Sequence, residues 1–226
     1  MNFRLLIFDL DGTLVDSAED VHFCLNQTRA KLGLPPLSLE QVRASIGPGP
    51  YKFAEIVIPE ERQDLFDEFI RLFRQCYMAH LTDRTRPFHG VRDTLKRMRD
   101  IDLILAVATN KPRRFTVKLL KDLNLLDYFT HILTPEDVPH RKPAPDIILK
   151  ALEITGTPAS ETLFIGDTDN DILSGKAAGV WTCGVTYGYG PVELLKKLKP
   201  DFLVDRPDGI SEIAASSRKE RIPEVE

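Results

Sequence analysis

Short apolar runs alternate with longer amphipathic stretches through most of this 226-residue sequence, and the apolar runs end abruptly in polar residues. Phe3 to Phe8 reads as a buried strand, cut off by Asp9-Leu10-Asp11-Gly12-Thr13. From Val91 onward the pattern predicts a helix (Val91 to Ile101), a strand (Leu103 to Ala108), a helix (Arg113 to Leu123) and a strand (His131 to Thr134). It continues with a helix (Asp146 to Thr155), a strand (Thr162 to Ile165), a helix (Asp169 to Ala178), a strand (Trp181 to Val185) and a last strand near Phe202 to Val204. Strands separated by helices of this length need crossover connections, which imply a parallel sheet with helices on both faces.

Ser17 to Asp83 departs from this rhythm. Helical signals dominate there, and Leu65, Phe69, Leu72, Phe73 and Cys76 form a packing stripe on a segment opened by Pro59-Glu60-Glu61. An all-helical stretch after the first strand of an α/β chain is expected to be a small inserted domain, residues 17–83. The α/β core is then discontinuous, residues 1–16 and 84–226, with crossings near Val15 and Arg86. Ser216 to Glu226 is polar and is expected to fray.

Composition narrows the function classes. The apolar runs fall far short of the roughly 18 residues of a membrane span, and Asp9 and Asp11 break the first before it can serve as an export signal. Three scattered cysteines, Cys24, Cys76 and Cys183, indicate neither a disulfide framework nor a zinc knuckle, so a reducing cytoplasm is the expected location. A net charge of −4 offers no general attraction for nucleic acid or anionic lipid, and Lys196-Lys197 and Arg218 to Arg221 read as solvated faces.

Four motifs fall at expected strand ends, where open parallel sheets bind ligands. In Asp9-Leu10-Asp11-Gly12-Thr13 the period of two points both carboxylates to one side, although an Asp-x-Asp is also a common acidic turn. Thr109-Asn110 stands at a strand-to-helix turn, where a hydroxyl and backbone N–H groups can hold a phosphate oxygen or simply cap the helix. In Lys142-Pro143 the proline biases the lysine toward an extended backbone that can project a fixed positive charge. Gly166-Asp167-Thr168-Asp169-Asn170-Asp171 looks like a calcium loop, but Ile172 and Ala178 occupy its required glycine and glutamate positions. Asp167, nearest the strand end, is the member placed to share a site with Asp9.

In this order the four motifs resemble those of the haloacid dehalogenase superfamily of phosphotransferases, from about Phe3 to Val204. Ala108-Thr109-Asn110-Lys111-Pro112 and Val185-Thr186-Tyr187-Gly188-Tyr189-Gly190 look like its phosphoglycolate phosphatase branch. The resemblance implies an α/β fold, a Rossmann-like parallel sheet with helices on both faces, plus an α-helical cap. It also implies a phosphatase acting on a small phosphomonoester, 2-phosphoglycolate first among them.

A phosphate ester brings about −1.5 to −2 charges. Beside Asp9, Asp11 and Asp167, with Lys142 as the compensating charge, it needs a further cation, and Mg²⁺ suits the all-oxygen donors. The resemblance makes Asp9 the nucleophile and Asp11 the acid/base. Thr109, Asn110 and Lys142 hold the phosphoryl group, Asp9, Asp167 and the carbonyl of Asp11 hold the metal, and Asp171 orients Lys142 or metal-bound water. Gly47-Pro48-Gly49-Pro50-Tyr51-Lys52 is the candidate loop for reading the leaving group, with Gly47 facing the core and Lys52 meeting a substrate carboxylate. A β-phosphoglucomutase-like mutase or a pyrophosphatase shares the core motifs, and a non-catalytic phosphate-binding module is a third reading. A dehalogenase is disfavoured because that branch lacks the Asp11 carboxylate.

Overall fold

The structure, a computed structural model, describes residues 2–218. Its eight strands are β1 (Leu5–Phe8), β2 (Val15–Asp16), β3 (Arg86–Pro87), β4 (Ile104–Ala108), β5 (His131–Leu133), β6 (Thr162–Gly166), β7 (Trp181–Val185) and β8 (Phe202–Val204). Six of them form one sheet in the order β5-β4-β1-β6-β7-β8, and every pairing in it is parallel. The chain runs from β1 to β4 and β5 on one side, then crosses β1 to build β6, β7 and β8 on the other. Strand order therefore reverses around β1, and the carboxyl ends of β1, β4 and β6 open into a single crevice.

The pleat explains why these runs are apolar throughout. Leu5 and Ile7 point to one face, packing with Ala106 and Phe164 against Ile147, Ile148 and Ala151 of α7 (Asp146–Thr155). Leu6 and Phe8 point to the other, joining Leu105, Val107 and Ile165. That face is covered by α5 (Val91–Asp100), α6 (Arg113–Asp122) and α10 (Pro207–Arg218) through Leu95, Leu119 and Ile210. Strands sandwiched in this way have no solvent face and no reason to alternate. α8 (Asp169–Ala177) and α9 (Val192–Leu198) complete the helices of this part.

Between β2 and β3 lie α1 (Ala18–Lys31), α2 (Leu39–Arg43), α3 (Pro50–Val57) and α4 (Phe66–Ala79). The two chain crossings are held side by side, because β2 and β3 pair antiparallel with Val15 opposite Pro87 and Asp16 opposite Arg86. The buried Asp20 carboxylate reinforces them, accepting from the N–H groups of Arg84 and Thr85 and from the Thr85 hydroxyl. α4 presents Phe69, Phe73 and Tyr77 as a stacked column, which meets Phe53 of α3 and Phe115 of α6.

Some expectations need correction. The α4 helix does not open at Pro59; a 3₁₀ segment over Glu60–Leu65 precedes it, broken where Arg62 leaves helical geometry at φ −124° and ψ 29°. Helix α10 reaches Arg218, past the expected onset of fraying at Ser216; the rest of that tail, and the basic run that begins at Arg218, fall outside the residues whose side chains are described. Lys196 and Lys197 are solvent-exposed, as expected. The three cysteines are free thiols, with Cys24 and Cys76 in contact across α1 and α4 at 2.9 Å. No helix among the described residues is long and apolar enough to cross a membrane.

Candidate active site

Asp9 is the first residue beyond β1, and its N–H is held by the Ile165 carbonyl of the neighbouring strand. The chain then folds back, with the N–H groups of Leu14 and Val15 both donating to the Leu10 carbonyl. Gly12 makes this possible at φ +86°; a Cβ there would stand 2.1 Å from Oδ2 of Asp167, so no other residue lets the backbone pass so close to that carboxylate. Asp167 lies just past β6, fully buried, and accepts from the Thr13 hydroxyl (3.0 Å) and the Tyr189 N–H (2.7 Å). The Tyr189 hydroxyl in turn accepts from the N–H groups of Ser17 and Ala18 and donates to Asp16. The loop after β7 thereby braces both ends of the acidic turn.

Lys142 crosses beneath this turn, preceding Pro143 through a cis peptide bond. Its buried ammonium gives all three protons away, to Asp9 Oδ1 (2.7 Å), Asp171 Oδ1 (2.6 Å) and the Ala108 carbonyl (2.9 Å). The other oxygen of Asp171 accepts from the N–H and hydroxyl of Thr168, closing a capping box at the start of α8. Burial pushes the Asp9 carboxyl up to about 6 despite Lys142, with Asp171 adding to the rise. Burial, Asp171 and Asp9 hold the Asp167 carboxyl well above the usual range. Burial alone would lower Lys142, but Asp171 and Asp9 outweigh it and keep the ammonium charged.

Above this cluster lies a pocket partly open to solvent, with about 590 Å³ of empty space that includes its open mouth. Asp9, Asp11, Thr109, Asn110 and Gly47 all line it, and its remaining walls are mostly apolar. Asp9 Oδ2 accepts no hydrogen bond among the described residues, in contrast to Oδ1. The Thr109 hydroxyl accepts from the Lys111 N–H at 3.2 Å and keeps its own proton available. The Asn110 side chain is taken up within the protein: the amide donates to the Gly47 and Lys142 carbonyls and accepts from the Lys142 N–H. It fastens three segments together, and what it can offer a phosphate is its backbone N–H.

The cation that lines the pocket is Lys111, whose position after Thr109-Asn110 does not by itself indicate a role. Lys111, 7% exposed, donates to both oxygens of Asp11 at 2.9 Å and to the Tyr77 hydroxyl at 2.7 Å. Ser17 adds a 2.5 Å bond to the same carboxylate. Burial keeps the Tyr77 phenol neutral, with Asp11 and Asp20 reinforcing the effect. Lys52, the cation expected here, is not among the lining residues; it stands 63% exposed on α3, paired with Glu55 at 2.9 Å. One turn along a helix offers it a nearer carboxylate than the pocket does.

Asp9, Asp167 and Asp171 bring carboxylate oxygens within 4.8 Å of one another, and Lys142 is the ammonium that bonds two of them. Three buried acids stand around one buried base, and burial first, with the neighbouring carboxylates second, raises the Asp9 and Asp167 carboxyls. An all-oxygen cluster of this kind fits a hard divalent cation. Asp171 is already committed to Lys142 and the helix cap, so Asp9 and Asp167 are the pair with capacity to spare.

Comparison with known proteins places this arrangement. Residues 6–185 match the haloacid dehalogenase-like hydrolase family. A phosphoglycolate phosphatase of Chromobacterium violaceum is 36% identical over 199 residues, spanning 86% of this chain and 90% of that protein. One of Aquifex aeolicus is 36% identical over 207 residues, spanning 92% and 94%. The crystal structure of a predicted phosphoglycolate phosphatase from Haemophilus somnus superposes with a TM-score of 0.88 at 30% identity, covering 94% of this chain and 98% of that one. Agreement over nearly the whole length, in sequence and in fold, rules out a borrowed motif: the chain belongs to the haloacid dehalogenase-like hydrolase family.

Proposed function

We propose that the protein is a Mg²⁺-dependent phosphatase that hydrolyses a small phosphomonoester, 2-phosphoglycolate, through an aspartyl-phosphate on Asp9. The observation that carries this reading is the asymmetry of the Asp9 carboxylate: Lys142 holds Oδ1 while Oδ2 accepts no hydrogen bond among the described residues, on a residue that lines the pocket. Oδ2 attacks phosphorus as the ester P–O bond breaks, and Asp11, acting as general acid, passes a proton to the leaving alkoxide. Asp11 then takes a proton from water as the water oxygen attacks phosphorus, the bond to Asp9 breaks, and inorganic phosphate leaves. The Thr109 hydroxyl and the Asn110 N–H steady the transferring oxygens, and Lys142 fixes the attacking carboxylate.

Mg²⁺, when bound, supplies positive charge against the crowded anions, held by Asp9, Asp167 and the Asp11 carbonyl. Asp171 acts through Lys142. Lys111 meets the substrate carboxylate and, in turning to it, releases Asp11 for proton transfer. Residues 17–83 act as a cap that covers the pocket of the core formed by residues 1–16 and 84–226. The relatives named phosphoglycolate phosphatase support this substrate, and the free thiols support a cytoplasmic enzyme.

Turnover of 2-phosphoglycolate, sugar phosphates, pyrophosphate and an aryl phosphate, each with Mg²⁺ and with chelator, tests the proposal. Metal-dependent release with 2-phosphoglycolate preferred, lost in Asp9→Asn, is the expected result. Activity indifferent to the chelator, or surviving in Asp9→Asn, refutes it.

A further inference from the structure

A second cavity, about 680 Å³ of empty space partly open to solvent, adjoins the active-site pocket and shares Pro50 and Pro112 with it. Three arginines line it, Arg74 on α4, Arg114 on α6 and Arg141 just before Lys142. None of them forms an ion pair among the described residues; their recorded side-chain contacts are with aromatic rings and the Tyr51 hydroxyl. The guanidinium carbons of Arg74 and Arg141 lie 5.5 and 5.3 Å from the centre of the same Tyr51 ring, so the two charges stand at most about 11 Å apart. The Nε of Arg74 is buried without a hydrogen-bond partner. The one acid in the lining, Glu136, already accepts from the Arg113 N–H with both oxygens.

Like charges gathered in a concave site repel one another unless an anion sits among them, and arginine is the side chain suited to grip phosphate and carboxylate oxygens. We infer that this cavity is a second oxyanion site, which takes a phosphate or carboxylate group distinct from the scissile phosphate. Arg74 and Tyr51 come from the helical layer, and Arg114 and Arg141 from the layer around the sheet. An anion held by all three arginines therefore ties the two layers together beside the pocket mouth. That the anion belongs to the substrate rests on the phosphatase reading; that the site binds an oxyanion does not.

The test compares an alkanediol monophosphate with a six-carbon spacer to its bisphosphate, in wild type and in an Arg114→Gln/Arg141→Gln variant, with Arg74→Gln as a third protein. The wild type is expected to show a KM about fivefold lower for the bisphosphate. The double variant brings the two values to within about twofold while kcat and KM for the monophosphate stay unchanged. Sulfate at constant ionic strength provides the second arm: a rise in wild-type thermal midpoint that the variant lacks, without a bisphosphate preference, identifies a free anion as the occupant. Neither effect in the wild type, or effects that persist equally in the variants, overturns the site. If no ester is hydrolysed, calorimetric titration with the bisphosphate still decides. Tighter binding to wild type upholds the site and discards only the phosphatase reading, while equal binding or none overturns the site as well.

Discussion

Replacing Lys142 with methionine removes the ammonium that bonds Asp9 and Asp171 while keeping most of the side-chain volume. Its bonds to Asp9 and Asp171 are short, 2.7 and 2.6 Å, and the lysine side chain is 2% exposed. Desolvation offsets much of the attraction in such a pair, but deleting one partner strands the other, at a cost of about 3–5 kcal/mol. For a chain of this size that is roughly 6–20 °C in Tm. The cost carries a pH signature. The folded-state Asp9 carboxyl already stands at about 6 against an ordinary 3.8, and without Lys142 it rises further. A carboxyl raised on folding favours the native state at low pH, and that advantage is lost as pH climbs through the folded value. The variant should therefore approach wild type near pH 5 and fall furthest behind at pH 8. Thermal unfolding followed by circular dichroism, with chelator throughout, measures both. A deficit equal at the two pH values, or below about 1 kcal/mol at pH 8, refutes the uncompensated-acid argument.

Asp11→Asn should lower kcat by about 10²–10⁴-fold while leaving substrate binding largely intact, the loss expected for a proton-transfer group; stopped-flow detection of phosphoenzyme should show slowed formation and decay. Lys111→Met should raise KM for 2-phosphoglycolate by at least about tenfold, more than for a neutral aryl phosphate, whereas Lys52→Ala, altering an exposed ion pair, should change neither by more than about twofold. The increase in Tm on adding Mg²⁺ should be small at pH 5 and grow through pH 6 to 7.5, because protons compete for Asp9 below its folded value of about 6; a flat profile would count against Asp9 as a metal ligand.

The sheet was readable in advance because its strands are buried on both faces, which leaves unbroken apolar runs such as Leu105, Ala106, Val107 and Ala108 for the eye to find. The acidic turn and Lys142 were readable because their spacing from strand ends sets their position. Lys111 carried the same signal, one residue past Thr109-Asn110, but its role depends on Asp11, 100 residues earlier, and Tyr77, 34 residues earlier. Such partners are supplied by the fold alone. Lys52 lies close in sequence to the Gly47 loop, but Pro50 starts a helix on which Glu55, one turn along, pairs with it, and that pairing is not visible in a motif. Helix α10 escaped notice because its serine-rich sequence has little apolar periodicity; Ile210 and Ala214 suffice to seat it in the core. The Thr109-Asn110 turn announces its backbone N–H groups in the sequence, but the three backbone groups that engage the Asn110 side chain, on Gly47 and Lys142, come from distant segments and cannot be seen in one dimension.

The pairing of β2 with β3 separates two architectural problems. Entry and exit of the intervening helices stand a single strand spacing apart, about 5 Å, so whatever lies between them begins and ends at one doorstep. Residues can be added, deleted or exchanged in that interval without shifting the register of any of the six parallel strands. The six-stranded floor is thereby insulated from whatever length or shape that interval takes.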